Sequence, residues 1–166
     1  MQSQRLTRIE VVTILVVLAL AVAVFLPLRL RQQDKALRTN CAGNLKIIGL
    51  ALLMYAGDFD GYVPNDHANG STNFKPSGVD RYTGFARVWQ CPARKELRNT
   101  ETDSCYRYIG SGLRDDTTSA VAVSLAYDMS GNHRHNAWMN VLLLDGHTEG
   151  GKPGTVSAKG VEFSND

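Results

Sequence analysis

Between residues 9 and 28 the chain carries an almost unbroken apolar run, and behind it apolar residues recur every three or four positions as far as Tyr55. Together these patterns limit the available folds more than anything else in the sequence. About 20 residues at 1.5 Å per residue give roughly 30 Å, the thickness of a bilayer's hydrocarbon core. A cleaved secretory signal has a shorter apolar stretch ending in a small-residue site, whereas this run meets Pro27 and then Arg29-Leu30-Arg31. The expectation is a retained single-pass anchor. Basic residues flank both ends, Arg5 and Arg8 before it and Arg29, Arg31, Lys35 and Arg38 after it, so the positive-inside rule assigns no orientation.

The second pattern, Leu37, Cys41, Leu45, Ile48, Leu52 and Tyr55, has the period of one helical face. A helix is therefore predicted from Ile9 to about Asp58, near 50 residues and roughly 75 Å long. Gly57, Asp58, Asp60, Gly61 and Pro64 supply the breakers that end it. Residues 65–83, rich in Asn, Gly, Ser and Pro, read as a surface loop. Strand candidates follow at 86–90, 106–109, 120–127 and 138–144, then a hairpin turn at Asp145-Gly146 and a returning strand from 147 to 149. The fold class is α+β, with a long N-terminal helix against a small antiparallel sheet. Four segments result: a leader-like stretch 1–8, a transmembrane segment 9–28, an amphipathic helical half 29–58 and a β-rich head 59–166.

At 166 residues there is room for one modest domain and an anchor, not for a two-domain enzyme. The net charge is +2, and the Lys and Arg residues are scattered without interleaved aromatics, so nucleic acid is not an expected partner. One charge is out of place. Glu10 stands at the edge of the apolar run, where a charged side chain costs about 2.5–3.5 kcal/mol on insertion scales and calls for a partner, often on a neighbouring subunit.

Leu6-Thr7-Arg8-Ile9-Glu10 resembles the prepilin-type N-terminal segment of type IV pilins and type II secretion pseudopilins, usually Gly, Phe-Thr-Leu-Ile-Glu, then an apolar helix. Thr7, Ile9 and Glu10 match, and Pro27 falls where these proteins often carry a kinking proline. Further on, the stretch from Cys41 through Asn44, Leu45, Lys46, Gly49, Leu50 and Ala51, then Tyr55, Asp58, Asp60-Gly61-Tyr62 and Pro64, resembles a signature of a large pseudopilin-like group. So do Trp89-Gln90-Cys91-Pro92 and the H-x9-DG ending formed by His135 and Asp145-Gly146. The sequence departs from the pattern at two places: Arg5 stands where the prepilin peptidase expects glycine, and Arg8 replaces an apolar residue.

The resemblance implies a pilin-like fold and a non-enzymatic filament subunit. Such a chain is held in the inner membrane with its head outside the cytoplasm, and reaches the cell surface as a helical homopolymer. Its implied partners are the membrane, further copies of itself and, if it is processed between Arg5 and Leu6, a prepilin peptidase and an assembly platform. Processing in the family exposes a new amine, methylated in many members, that the glutamate of an incoming subunit neutralises. Leu6, Thr7, Ile9, Glu10 and Pro27 are thus the implied assembly residues.

The remaining candidates have plainer readings. Cys41, Cys91 and Cys105 allow one bridge and one thiol in an oxidising compartment, with Cys91–Cys105 preferred because it closes a short polar loop. His133, His135, Asp145 and His147 suggest a metal or acid–base group, but a strand between His135 and Asp145 would hold them roughly 33 Å apart. Some pseudopilins bind calcium in C-terminal loops; here Asp145 would need Asp128, Asp115 or Asp116 and several carbonyls. Asp58-Phe59-Asp60-Gly61 lacks full calcium-loop spacing and reads as helix termination. No cofactor is required by the sequence. The alternatives are a membrane-anchored binding module, calcium-dependent or not, that never polymerises, and a membrane-anchored metallohydrolase.

Overall fold

The computed structural model describes residues 8–65, 76, 78–84, 86–94, 104–116, 120–129, 132–133, 138–153 and 155. The chain divides into two compact units, Met1–Lys35 and Ala36–Asp166. Helix α1, Arg8–Asp58, belongs to both and contains Pro27. It ends as the breakers predict. The Gly61 amide donates to the Ala56 carbonyl at 2.8 Å and Asp60 takes a left-handed φ of 53°, the arrangement of a Schellman motif with Asp60 in the place usually held by glycine.

In the first unit the helix is apolar and exposed, from Ile9 at 77% through Phe25 at 64%, and its most apolar window buries nothing within the chain. It is long and apolar enough to cross a membrane. This is the inverse of a soluble helix, whose apolar residues face a core.

The second unit begins at Ala36, so α1 from Ala36 onward belongs with the head, while residues 29–35 of the expected amphipathic half fall in the first unit. Cys41, Leu45, Ile48 and Leu52 are fully buried at their helical spacing, and Ala51 and Ala56 join them. The sheet opposite is an antiparallel meander in the order β1 (Tyr106–Tyr108), β2 (Ser124–Asp128), β3 (Met139–Leu143), β4 (Thr148–Gly151). On β3, Leu142 and the following Leu144 pack with the helix cluster, while Met139, Val141 and Leu143 form a second cluster with Tyr127 and Ile109. That is the period-2 alternation of a strand. On β2 the alternation breaks, because the register shifts between Ser124 and Ala126, so Leu125 and Ala126 both reach the helix-side cluster.

Closeness between helix and sheet explains Gly49. A Cβ there would lie 2.6 Å from Leu142 Cδ1, so any larger residue would push the buried Leu142 side chain out of place. Three sequence expectations are corrected here. Residues 86–89 form a 3-10 turn rather than a strand, as do 120–122 ahead of β2; both stretches are apolar and short, which does not distinguish strand from helical turn. The segment expected to be loop as far as Thr83 contains a short helix, α2, at Asp80–Thr83, whose Tyr82 donates to Asp58 at 2.6 Å and meets Tyr55 edge-on.

Candidate functional site

The assembly residues implied by the N-terminal motif lie on, or just ahead of, the exposed part of α1. Glu10 occupies its first turn, where a carboxylate is favoured by the helix dipole, and its backbone carbonyl accepts from Thr13 Oγ1 at 2.9 Å. Ile9 is exposed beside it. Pro27 is carried inside the helix, where it removes the amide that would bond the carbonyl four residues earlier. Arg5, Leu6 and Thr7 lie outside the described residues.

In the head, the disulfide joins Cys41 to Cys91, with Cα atoms 5.6 Å apart, rather than Cys91 to Cys105. The reason is visible one helical turn away. Asn44 on α1 donates to the Gln90 carbonyl at 3.0 Å and to the Tyr106 hydroxyl at 3.2 Å, which docks the chain so that Cys91 falls opposite Cys41. Cys105 is a buried thiol whose backbone amide bonds the Trp89 carbonyl at 2.8 Å. Burial pushes the Tyr106 hydroxyl's pKa upward, so it stays protonated.

Beside the bridge lies a polar cluster that brings together His133 and Asp128, which the sequence offered as separate metal candidates, with Cys41 and Cys91. His133, Cys41 and Cys91 are all buried, and one ligand atom of each falls within 4.8 Å of the others. Asp128, at the end of β2 and 1% exposed, accepts through a single oxygen, Oδ2, from His133 Nε2 at 2.9 Å, the Asn140 amide at 3.0 Å and Asn140 Nδ2 at 2.7 Å. Its other oxygen, Oδ1, is buried without a hydrogen-bond partner among the described residues. Asn140 also donates to the Arg38 carbonyl at 3.2 Å and accepts from Trp138 Nε1 at 3.0 Å, tying α1 to β3. These partners come from four separate parts of the chain. A buried Asp followed five residues later by a His was the only local signal.

The Asp145-Gly146 turn joins β3 to β4 as expected, with Gly146 at a φ of 86°. Asp145 Oδ1 accepts from the His147 amide at 3.1 Å and meets His147 Nδ1 at 2.6 Å, and Glu149 lies 3.5 Å from Nε2. Slight burial works against the Asp145 carboxylate, but the hydrogen bonds from His147 prevail and hold its pKa below the ordinary value. Hydrogen bonding to Asp145 raises His147 against an opposing desolvation, with Glu149 adding to the rise. The turn is a charged, exposed cap.

Asp128 and Asp145 do not share an ion. In the β2–β3 register Asp128 lies beyond the Tyr127–Val141 pair, whereas Asp145 follows Leu143, which faces Ser124. Four residues of strand separate the two ends, about 13 Å. Of the other proposed calcium ligands, Asp116 pairs with Arg114 at 3.2 Å and the Asp115 amide bonds the Gly61 carbonyl at 2.9 Å. Among the metallohydrolase candidates, His133 is buried against Asp128 while Asp145 and His147 sit in the exposed turn; His135 lies outside the described residues.

A groove of about 760 Å³ runs along the outer side of the bridge, lined by Thr39, Asn40, Gly43, Asn44, Arg87 and Cys91 among others. The described elements define an α+β chain with one candidate membrane helix and a disulfide-tied head. No family model, curated protein or solved structure matches it.

Proposed function

We propose that this chain is a structural subunit of a type IV pilus-like or pseudopilus filament, anchored in the inner membrane before assembly. The observation that carries the reading is α1 itself. One helix holds an exposed apolar segment with Glu10 in its first turn and Pro27 within it, then supplies the buried face of a small head. In a filament, the apolar segment leaves lipid and packs with the same segment of neighbouring subunits. Glu10 sets the register between them through a cationic partner, which offsets the cost of its burial. The contact is heterologous, head to tail, and so generates an open helix rather than a closed ring. The Cys41–Cys91 bridge supports a head outside the cytoplasm, where disulfides persist. No step in this function requires catalysis.

Glu10→Gln tests the reading: assembly should be lost while membrane insertion is kept, and undiminished assembly sinks it. A second reading, a membrane-anchored binding module that never polymerises, draws on the groove beside Cys91 and on Arg5 at the position where the peptidase expects glycine.

A further inference from the structure

The geometry points to a second state of the Cys41–Cys91 bridge: once reduced, the two cysteines and His133 form a buried zinc site held in place by Asp128. Three observations meet here. The sulfurs and one imidazole nitrogen already lie within 4.8 Å of one another. His133 is oriented by a buried carboxylate through Nε2, so Nδ1 is the ring nitrogen that a metal would take. Asp128 itself keeps an oxygen buried and without a hydrogen-bond partner among the described residues.

The donor set selects the metal. Two thiolates and an imidazole suit zinc and do not suit calcium or magnesium, which take oxygen ligands. Zinc stands about 2.3 Å from sulfur and about 2.0 Å from nitrogen, so tetrahedral geometry places two thiolates about 3.8 Å apart. Rotation about the Cα–Cβ bonds takes the sulfurs from bonded contact to that spacing. Charge favours the exchange as well, because two thiolates and one divalent cation sum to zero and add no net charge to a buried place. The carboxylate–histidine–zinc relay through Asp128 fixes the tautomer and strengthens the imidazole as a ligand. Water is the fourth ligand.

Reaching this state needs a dithiol reductant and a local opening of the head, since both cysteines are fully buried beside the groove that Cys91 lines. One thiolate of the reductant attacks the Cys91 sulfur, forming a mixed disulfide and releasing Cys41 as thiolate. The reductant's second thiolate then resolves the mixed disulfide, releasing Cys91 and leaving the reductant oxidised. Two electrons pass to the bridge, and zinc takes the place of the two protons that the freed sulfurs would otherwise bind. The head therefore has two alternative staples at one place, a disulfide when oxidised and a metal when reduced.

The test uses the full chain in detergent, once oxidised and once reduced with a phosphine under anaerobic conditions, each incubated with zinc chloride, desalted and assayed for bound metal. Stoichiometric zinc in the reduced chain and none in the oxidised chain is expected, and cobalt substitution should give a thiolate-to-metal charge-transfer band. Tryptophan emission of the reduced chain, read in the same samples, shows that the head stays folded during the comparison. Cys105→Ser should retain zinc, and Asp128→Asn should weaken binding by about 10- to 100-fold. A reduced chain without stoichiometric zinc, or equal zinc in both redox forms, overturns the site; unchanged affinity in Asp128→Asn overturns the role given to the carboxylate.

Discussion

Reducing the Cys41–Cys91 bridge in the presence of a chelator removes both staples from the head, and the size of the effect follows from where the bridge sits. Its cysteines are 50 residues apart, and a loop of that length, in the chain-entropy account, contributes about 4 kcal/mol by restricting the unfolded chain. Against a typical domain stability of about 5–15 kcal/mol this is a large share. With a urea dependence of about 2 kcal/mol/M, the midpoint should fall by about 2 M, and the slope should rise because the uncrosslinked chain exposes more surface. Tryptophan emission reports the transition, since Trp89 lies two residues from Cys91 and is 3% exposed. The full chain in detergent is titrated with urea, oxidised and reduced, both with chelator. Coincident midpoints would refute the reasoning, for they would mean that the loop from Cys41 to Cys91 is already constrained in the unfolded chain.

Two glycines on the same helix should respond oppositely. Gly49→Leu drives a side chain into buried Leu142 and should destabilise the head by about 1–3 kcal/mol. At Gly43, by contrast, nothing lies within 4 Å of an added Cβ, so Gly43→Ala should stabilise by about 1 kcal/mol; denaturation of the two variants side by side checks the helix–sheet approach. His147 should titrate above its ordinary 6.5 in an NMR series, and Asp145→Asn should bring it back down. The raised histidine contributes stability that is complete below 6.5 and lost as pH rises through its folded midpoint; the lowered Asp145 contributes above its ordinary 3.8 and loses it as pH falls through its own. The pair therefore helps most between those values, by less than about 1 kcal/mol because both side chains are partly exposed.

Long elements with a strict period were legible in the sequence. The spacing of Cys41, Leu45, Ile48 and Leu52 marked the buried face of α1, and the glycines and aspartates after Ala56 marked its end. Asp145-Gly146 announced the β3–β4 turn, a three-residue loop between Leu143 and His147 whose last residue, Gly146, takes the positive φ that glycine supplies. What stayed hidden depends on contacts between distant residues. Residues 86–89 are apolar enough for a strand, yet they form a 3-10 turn docked on α1 through Asn44. The same docking chooses Cys41 over Cys105 as the partner of Cys91, although loop length favoured the nearer cysteine. The cluster of Asp128, His133 and Asn140 has no periodic signature at all, because each residue is brought in by a different stretch of chain. Glu10 is the opposite case: a single charge at the edge of an apolar run is conspicuous in the sequence itself.

The central claim, that this chain builds filaments, is tested most directly by electron microscopy of filaments from cells expressing it, with mass spectrometry of the subunit N-terminus. Filaments built of this chain are the predicted result; subunits beginning at Leu6 would show pilin-type processing, and subunits beginning at Met1 would show assembly without cleavage. The chain recovered only as membrane-bound monomers, inserted and folded but never polymerised, would contradict it.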